Sequence, residues 1–291
     1  MRRFGDRRDA VRVRNVGGME KILVCFKPMR CDSDVYMDEE IDVTNLVTYM
    51  KARKVTDPEL TYFHAFCCAL GMIFYNRPLL NRFVVARRYY QRTEVSIGFV
   101  AKVAFDEDSK ENISLVKFAP TDTLDDVKDL FLAKVRKVRT NTDNSTDSVV
   151  RAFGRLPQWL INPIVWVLMQ ADLHDLLPHA MIDDDLYHSS IIVSNLGSID
   201  CGSIYHNLTN FGTSSFLMTM GRIKQVTVMD ESGETATRQL CRFGINCDER
   251  VVDGFYFAQS MNLFKYILAN PELMERPMGE KIAWPVPVHT T

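Results

Sequence analysis

The longest apolar run of the chain, Leu60 to Tyr75, carries apolar residues almost all the way round a helical wheel. That pattern predicts a buried helix rather than a surface one. Asp57-Pro58-Glu59 ahead of it supplies an N-cap and a proline for the first turn, and Arg77-Pro78 stops it. His64 inside the run reads as a satisfied core histidine rather than a ligand. Strand-like stretches rich in Val, Ile, Phe and Tyr follow at Phe83 to Tyr90, Glu94 to Phe105 and Ile113 to Phe118, the last two separated by the polar turn DEDSKEN. Thr123 opens a helix through Arg139 with Leu124, Val127, Phe131 and Val135 near one stripe. After the polar loop TNTDNSTDS, a helical region runs from Leu156 to Leu176.

The last third alternates as strands do. Ser189 to Val193 and Ser214 to Met220 are strands, and Val226 to Met229 and Thr235 to Asn246 flank the turn DESGE as a hairpin. Asp253-Gly254 then opens a final helix that ends at Asn270-Pro271. Helices and strands mix along the whole length, which favours one α/β domain, expected over residues 19–275. It is preceded by a basic arm at 1–18 and followed by a proline-containing tail at 276–291, unsuited to a central strand.

Composition narrows the picture. A chain of 291 residues with 46% hydrophobic and 25% charged residues can bury a sizeable core. Lys+Arg 35 against Asp+Glu 37 leaves no global basic field, so nucleic acid is not an expected partner. The seven cysteines form no Cys-x-x-Cys pair, which argues against a zinc ribbon or disulfide framework and for a reducing, cytoplasmic setting. The apolar stretch Trp159 to Met169 is too short to span a bilayer. The first 17 residues hold six arginines and two aspartates. They read as a solvated arm, or as a docking arm for a partner or acidic ligand.

Common catalytic motifs are missing: no Gly-x-Gly-x-x-Gly, phosphate loop, Gly-x-Ser-x-Gly elbow or His-Glu-x-x-His. The segment from Asp172 to His188 gathers three histidines and several aspartates, but His174 and His179 fall on different helix faces. A solvated loop is the expectation there, and no metal site.

The segment Cys247-Asp248-Glu249-Arg250-Val251-Val252-Asp253-Gly254 resembles the Asp-His-Arg-Val-Val-Asp-Gly signature of dihydrolipoyl acyltransferases and chloramphenicol acetyltransferase. Four further segments resemble that family in order. Ile41-Asp42-Val43-Thr44-Asn45-Leu46 is similar to its early strand-to-helix step, and Arg77-Pro78-Leu79-Leu80-Asn81 to its Pro-x-x-Asn turn. Ile192 to Gly197 is similar to its Ile-Ser-Asn-Leu-Gly strand end, and Phe216 to Ile223 to its strand ending Gly-Arg-Ile. The resemblance implies a CoA-dependent acyltransferase fold of the chloramphenicol acetyltransferase type, a mixed sheet flanked by helices. It implies a homotrimer with active sites between subunits, acting on a small-molecule acyl donor and acceptor. CoA or acyl-CoA is the implied substrate, or a lipoyl or pantetheine thiol, with no lipoyl group on this chain and no metal.

The resemblance also implies roles. Ser194 takes the place of the oxyanion donor, with Asn195 as a further polar contact. Asp253 takes the place of the aspartate that locks the signature loop, and its ion-pair partner is expected to be Arg30. Arg250 stands beside the signature position and is expected at the cofactor. The position of the family's catalytic histidine is Glu249. A carboxylate at ~4.3 is a poor base for a thiol near ~8.5 unless burial raises it. His206, between the two matching strands, is the alternative base. The rival expectation is a non-catalytic member that keeps the fold and binds acyl-CoA, or serves as a scaffold, without the base.

Overall fold

The computed structural model describes residues 3, 5–102, 111–140, 153–229 and 233–285. Two sheets organise it. The larger has six strands: β2 (Asp34–Asp42), β5 (Val95–Lys102), β6 (Glu111–Phe118), β7 (Ile191–Asn195), β8 (Phe216–Met229) and β9 (Thr235–Asp248). They lie in the order β2-β9-β8-β7-β5-β6. β7 runs parallel to both neighbours and the other pairs are antiparallel, so the sheet is mixed. A smaller sheet, β1-β4-β3, joins β1 (Ala10–Arg12), β3 (Arg82–Val85) and β4 (Arg88–Arg92). Four helices matter for the core: α2 (Thr44–Thr56), α3 (Tyr62–Asn76), α4 (Leu124–Thr140) and α6 (Gly254–Ala269). α1 (Gly18–Phe26) and α5 (Gln158–Leu173) lie outside it.

The period of two along β9 divides the large sheet. Phe243, Ile245 and Cys247 join Phe216, Met218 and Met220 of β8 in the core that α2, α3 and α6 cover. Gly244, Asn246 and Asp248 point to the other face, where the segment after β7 crosses the sheet. Thr219 Oγ1 donates to Ile204 O there, and His206 N–H donates to Asn246 Oδ1 at 3.0 Å. Gly244 permits that crossing, because a Cβ at this position would stand 2.3 Å from Ile204 O.

The structure corrects several expectations. α3 is buried as predicted, but Asp57 does not cap it. α2 runs to Thr56 and Asp57 closes it, its N–H donating to Arg53 O at 3.0 Å. Thr61 caps α3 instead. His64 N–H donates to Thr61 Oγ1 at 3.4 Å, and His64 Nδ1 accepts from Thr61 N–H at 3.2 Å. That satisfied, buried imidazole is the core histidine expected. The run Phe83 to Tyr90 folds as a hairpin, not one strand, because Ala86 and Arg87 take left-handed backbone angles (φ +49° and +59°) with no glycine or asparagine to announce the turn. The two pieces expected at 214–220 and 226–229 are one strand, β8, with an irregularity between Met220 and Ile223. The DEDSKEN and TNTDNSTDS turns fall largely outside the described residues, as does most of DESGE.

The basic N-terminal segment is solvated only in part: Arg8 and Arg14 are exposed, but the segment is folded onto the protein. Ala10–Arg12 pairs with β4, and Arg7 is buried, donating to Asp172 O at 2.9 Å. In the tail, Met278 is buried and its N–H reaches Asp122 O at 2.9 Å, so the chain folds on the core beyond residue 276. α5 is apolar, yet Trp159 and Trp166 are exposed, as is Leu176 just beyond it. Among the described residues no helix is long and apolar enough to cross a membrane.

Candidate active site

The signature loop begins where β9 ends. Asp248 is completely buried, and a guanidinium fork grips it: Arg250 Nε donates to Oδ1 at 2.8 Å and Nη2 to Oδ2 at 2.7 Å. The remaining donor, Arg250 Nη1, reaches Lys27 O at 2.9 Å and Pro28 O at 3.2 Å. Arg250, expected at a cofactor, therefore ties the loop to the 27–30 segment. Arg30 lies on the same carboxylate, its Nε 4.0 Å from Asp248 Oδ2, while its guanidinium donates to Thr209 O at 2.6 Å and Gly212 O at 3.0 Å. Burial pulls the Arg30 pKa down; Asp248 opposes this and Arg250 adds to it. Asp34, beneath Leu208 N–H at 3.1 Å, has its pKa raised by burial.

That arrangement changes one carried-over role. Asp253 does not pair with Arg30. Its Oδ1 accepts Tyr256 N–H at 2.7 Å and caps α6, in the first turn of which Gly254 and Phe255 follow. The loop-locking carboxylate is Asp248, five residues earlier. The spacing Asp-x-Arg was visible in the sequence, but which acidic residue is buried depends on the β9 pleat.

Glu249, in the place of the catalytic histidine, is held at both ends. Its N–H donates to Ser33 O at 3.1 Å, and its carboxylate forms an ion pair with Lys27. Both side chains are about one-third exposed (34% and 38%), so solvent reaches the pair. Ser194 and Asn195 stand at the end of β7, half-buried. Ser194 is in register with Thr219, and Thr219 with Gly244. Ser194 therefore lies two strands and four residues from Asp248, roughly 16 Å away by strand spacing and rise. One subunit alone does not bring Ser194 and Glu249 to one reacting atom. His206 is exposed, with Nδ1 3.2 Å from Asn207 O.

A buried polar network lies behind the crossing segment, and sequence reasoning missed it. His188 Nε2 stands 2.9 Å from Asp172 Oδ1 and its Nδ1 2.6 Å from Asp185 Oδ2. Asp172 Oδ2 accepts Gly212 N–H at 2.9 Å, and Arg7 Nη2 lies 3.6 Å from Asp172 Oδ1. Burial works against a charged His188, but the bonds to the two aspartates outweigh it and raise its pKa. Burial likewise opposes ionisation of Asp172, and His188 outweighs it, so that pKa falls. Part of the expected solvated loop is thus an interior clamp, through Asp172 and His188, while His174, Asp183 and Asp184 are exposed as expected. Arg30 and Asp172 grip the 209–212 backbone from its two sides, so the segment carrying His206 is fixed to the signature loop. A cavity of about 220 Å³ opens beside this clamp, lined by Arg30, Arg250, Val85, Met169, Leu173 and Phe211 among others. No cluster of three or more metal-binding side chains occurs among the described residues.

Comparison with known proteins places this architecture. Residues 177–276, which contain β7, β8, β9, the signature loop and α6, match the catalytic domain of the 2-oxoacid dehydrogenases acyltransferase family. The lipoamide acyltransferase component of the branched-chain alpha-keto acid dehydrogenase complex of Bacillus subtilis (strain 168) is 22% identical over 235 residues, 79% of this chain and 45% of that protein. The chain spans less than half the length of the curated relatives it matches. Two solved structures share the fold. A probable dihydrolipoamide acetyltransferase from Listeria monocytogenes superposes with a TM-score of 0.58 at 16% identity, covering 94% of this chain and 97% of that one. The cubic core of a pyruvate dehydrogenase multienzyme complex superposes with a TM-score of 0.60 at 13% identity, covering 91% and 94%. The chain has the mixed-sheet fold of these catalytic cores, and the resemblance drawn from its five motifs holds.

Proposed function

We propose that this protein moves an acyl group between a CoA-type thiol, or a lipoyl or pantetheine thiol, and a small acceptor, at a site completed between the subunits of a homotrimer. The observation that carries this reading is the signature loop, held at the end of β9 by the Asp248–Arg250 fork in the setting where the family motif has its histidine. The ~16 Å between Ser194 and Asp248, the residue before Glu249, within one chain fits a site that takes Ser194 from a neighbouring subunit. The exposed tryptophans of α5 fit burial in an assembly, since monomers rarely leave such apolar surface open. In this reading Ser194 donates to the tetrahedral oxyanion, and Glu249 or His206 accepts the thiol proton.

One observation favours a second reading. The Glu249 carboxylate is taken up by its ion pair with Lys27 within reach of solvent, and among the described residues no other side chain is bonded to it that would make it a base for a thiol. A protein built this way binds the acyl thioester without turning it over. Acyl-CoA/thiol exchange decides between them. The first reading expects exchange in the native chain, lost in Glu249→Ala or in His206→Ala, and a gel-filtration mass of three chains. No exchange, together with calorimetric binding of CoA, leaves the second. Neither exchange nor binding sinks both.

A further inference from the structure

The arginines of the N-terminal segment have a structural destination that the acyltransferase reading does not use. Pairing between β1 and β4 sets Arg12 opposite Tyr90, and Val13 N–H then donates to Tyr89 O at 2.9 Å. Continued past β1, that register carries Arg14, which pairs with Asp6, to the side of the hairpin that holds Arg88. The β3–β4 turn adds Arg87, held at φ +59° next to Ala86 at φ +49°. Backbone of this kind costs about 1 kcal/mol or more per residue and gathers at ligand clamps. α1 adds Lys21.

These side chains line one open groove of about 320 Å³. Its cations are Arg12, Arg14, Lys21, Arg87 and Arg88, and among the described residues no carboxylate lines it. Its floor is apolar: Val13, Val16, Val24 and Tyr89. The nearest acids are engaged at its edge. Asp6 lies 3.6 Å from Arg14 and accepts the backbone N–H groups of Arg3 and Arg12, and Glu20 turns back on Gly17 at the start of its own helix. Five cations converge here in a chain whose total charge is −2.

We propose that this groove binds the phosphate groups of a phosphorylated ligand, with Arg12, Arg14, Lys21, Arg87 and Arg88 supplying the charge-assisted hydrogen bonds. The apolar floor suits a nucleoside or other organic part attached to those phosphates. Two sources share this chemistry, the phosphates of CoA and a separate phosphorylated molecule. The groove neighbours the signature loop through α1, since Cys25 lines the groove and Lys27 pairs with Glu249. Only the assignment to CoA rests on the function proposed above.

Calorimetric titration of the full chain with inorganic pyrophosphate, CoA and pantetheine tests it, against a Lys21→Glu/Arg88→Glu double variant at two exposed positions. Unchanged thermal unfolding of the variant establishes that it folds. Pyrophosphate is expected to bind the native chain, to weaken with added salt, and to bind the variant at least ~10-fold less tightly, the ordinary worth of one hydrogen bond to a charged group. If CoA shows the same loss while pantetheine does not, the phosphates of CoA occupy the groove. If pyrophosphate binds and CoA does not, the groove stands for a separate ligand and the CoA reading falls. If pyrophosphate does not bind the native chain, or binds the variant equally well, the proposal is overturned, whatever CoA does.

Discussion

Replacing Asp248 by Asn tests what holds the signature loop. The substitution preserves shape and removes one charge at a completely buried position. Arg250 and Arg30, 3% and 4% exposed, would lose the carboxylate that both face, and the amide nitrogen cannot accept from the guanidinium fork. Breaking a buried ion pair by removing one partner costs about 3–5 kcal/mol, because the other charge stays buried. For a chain of this size one kcal/mol shifts the melting temperature by about 2 °C, so Asp248→Asn should lower it by about 6–10 °C. Asp253→Ala removes only a helix cap, worth ~1 kcal/mol, and should lower it by about 2 °C. Differential scanning calorimetry of both variants gives the answer. If Asp253→Ala melts as low as Asp248→Asn, the lock has been assigned to the wrong aspartate.

Two histidines should shape the pH dependence in opposite senses. His64 has its pKa pushed down to about 4 by burial. Its contribution, roughly 3 kcal/mol, is complete above the ordinary 6.5 and is lost as pH falls toward 4, so His64→Asn should flatten the acid limb of a urea-unfolding profile. His188 has its pKa raised, so its contribution is complete below 6.5 and is lost as pH rises through the folded value. His188→Gln should therefore cost more stability at pH 5.5 than at pH 8.5, and an equal cost at both would refute a charged His188. Gly244→Ala should destabilise by about 1–3 kcal/mol, because the new methyl meets backbone at Ile204 rather than a side chain that can move. Faster amide exchange across residues 203–207 would accompany it, and an unaffected 203–207 segment would contradict the crossing geometry.

The legible parts of the chain were those whose signal is local. Periodicity marked α3 as buried, Val, Ile and Phe runs marked β5 and β6, and the strands flanking the turn DESGE marked the β8–β9 hairpin. The five motifs placed the fold and the position of Glu249. Boundaries failed where a competing local signal won: Asp57-Pro58 has the residues of a helix start but closes α2, and Thr61 with His64 makes the cap instead. The Ala86–Arg87 turn carried no local signal at all.

Sequence by itself determined the mixed α/β character, the family resemblance and the replacement of the signature histidine by Glu249. Only the tertiary structure decided which charges are buried. Asp248, Asp253, Asp172 and Asp185 are equivalent letters in a sequence. Their roles as lock, cap and clamp follow from the pleat of β9, the start of α6 and the approach of Arg7, Arg30 and His188 from remote parts of the chain. The same holds for the arginine-rich beginning, whose pairing with β4 turns a string of charges into a buried Arg7 and an open groove. The physical reason is that burial sets the energy of a charge, and burial is a property of what the rest of the chain packs against it.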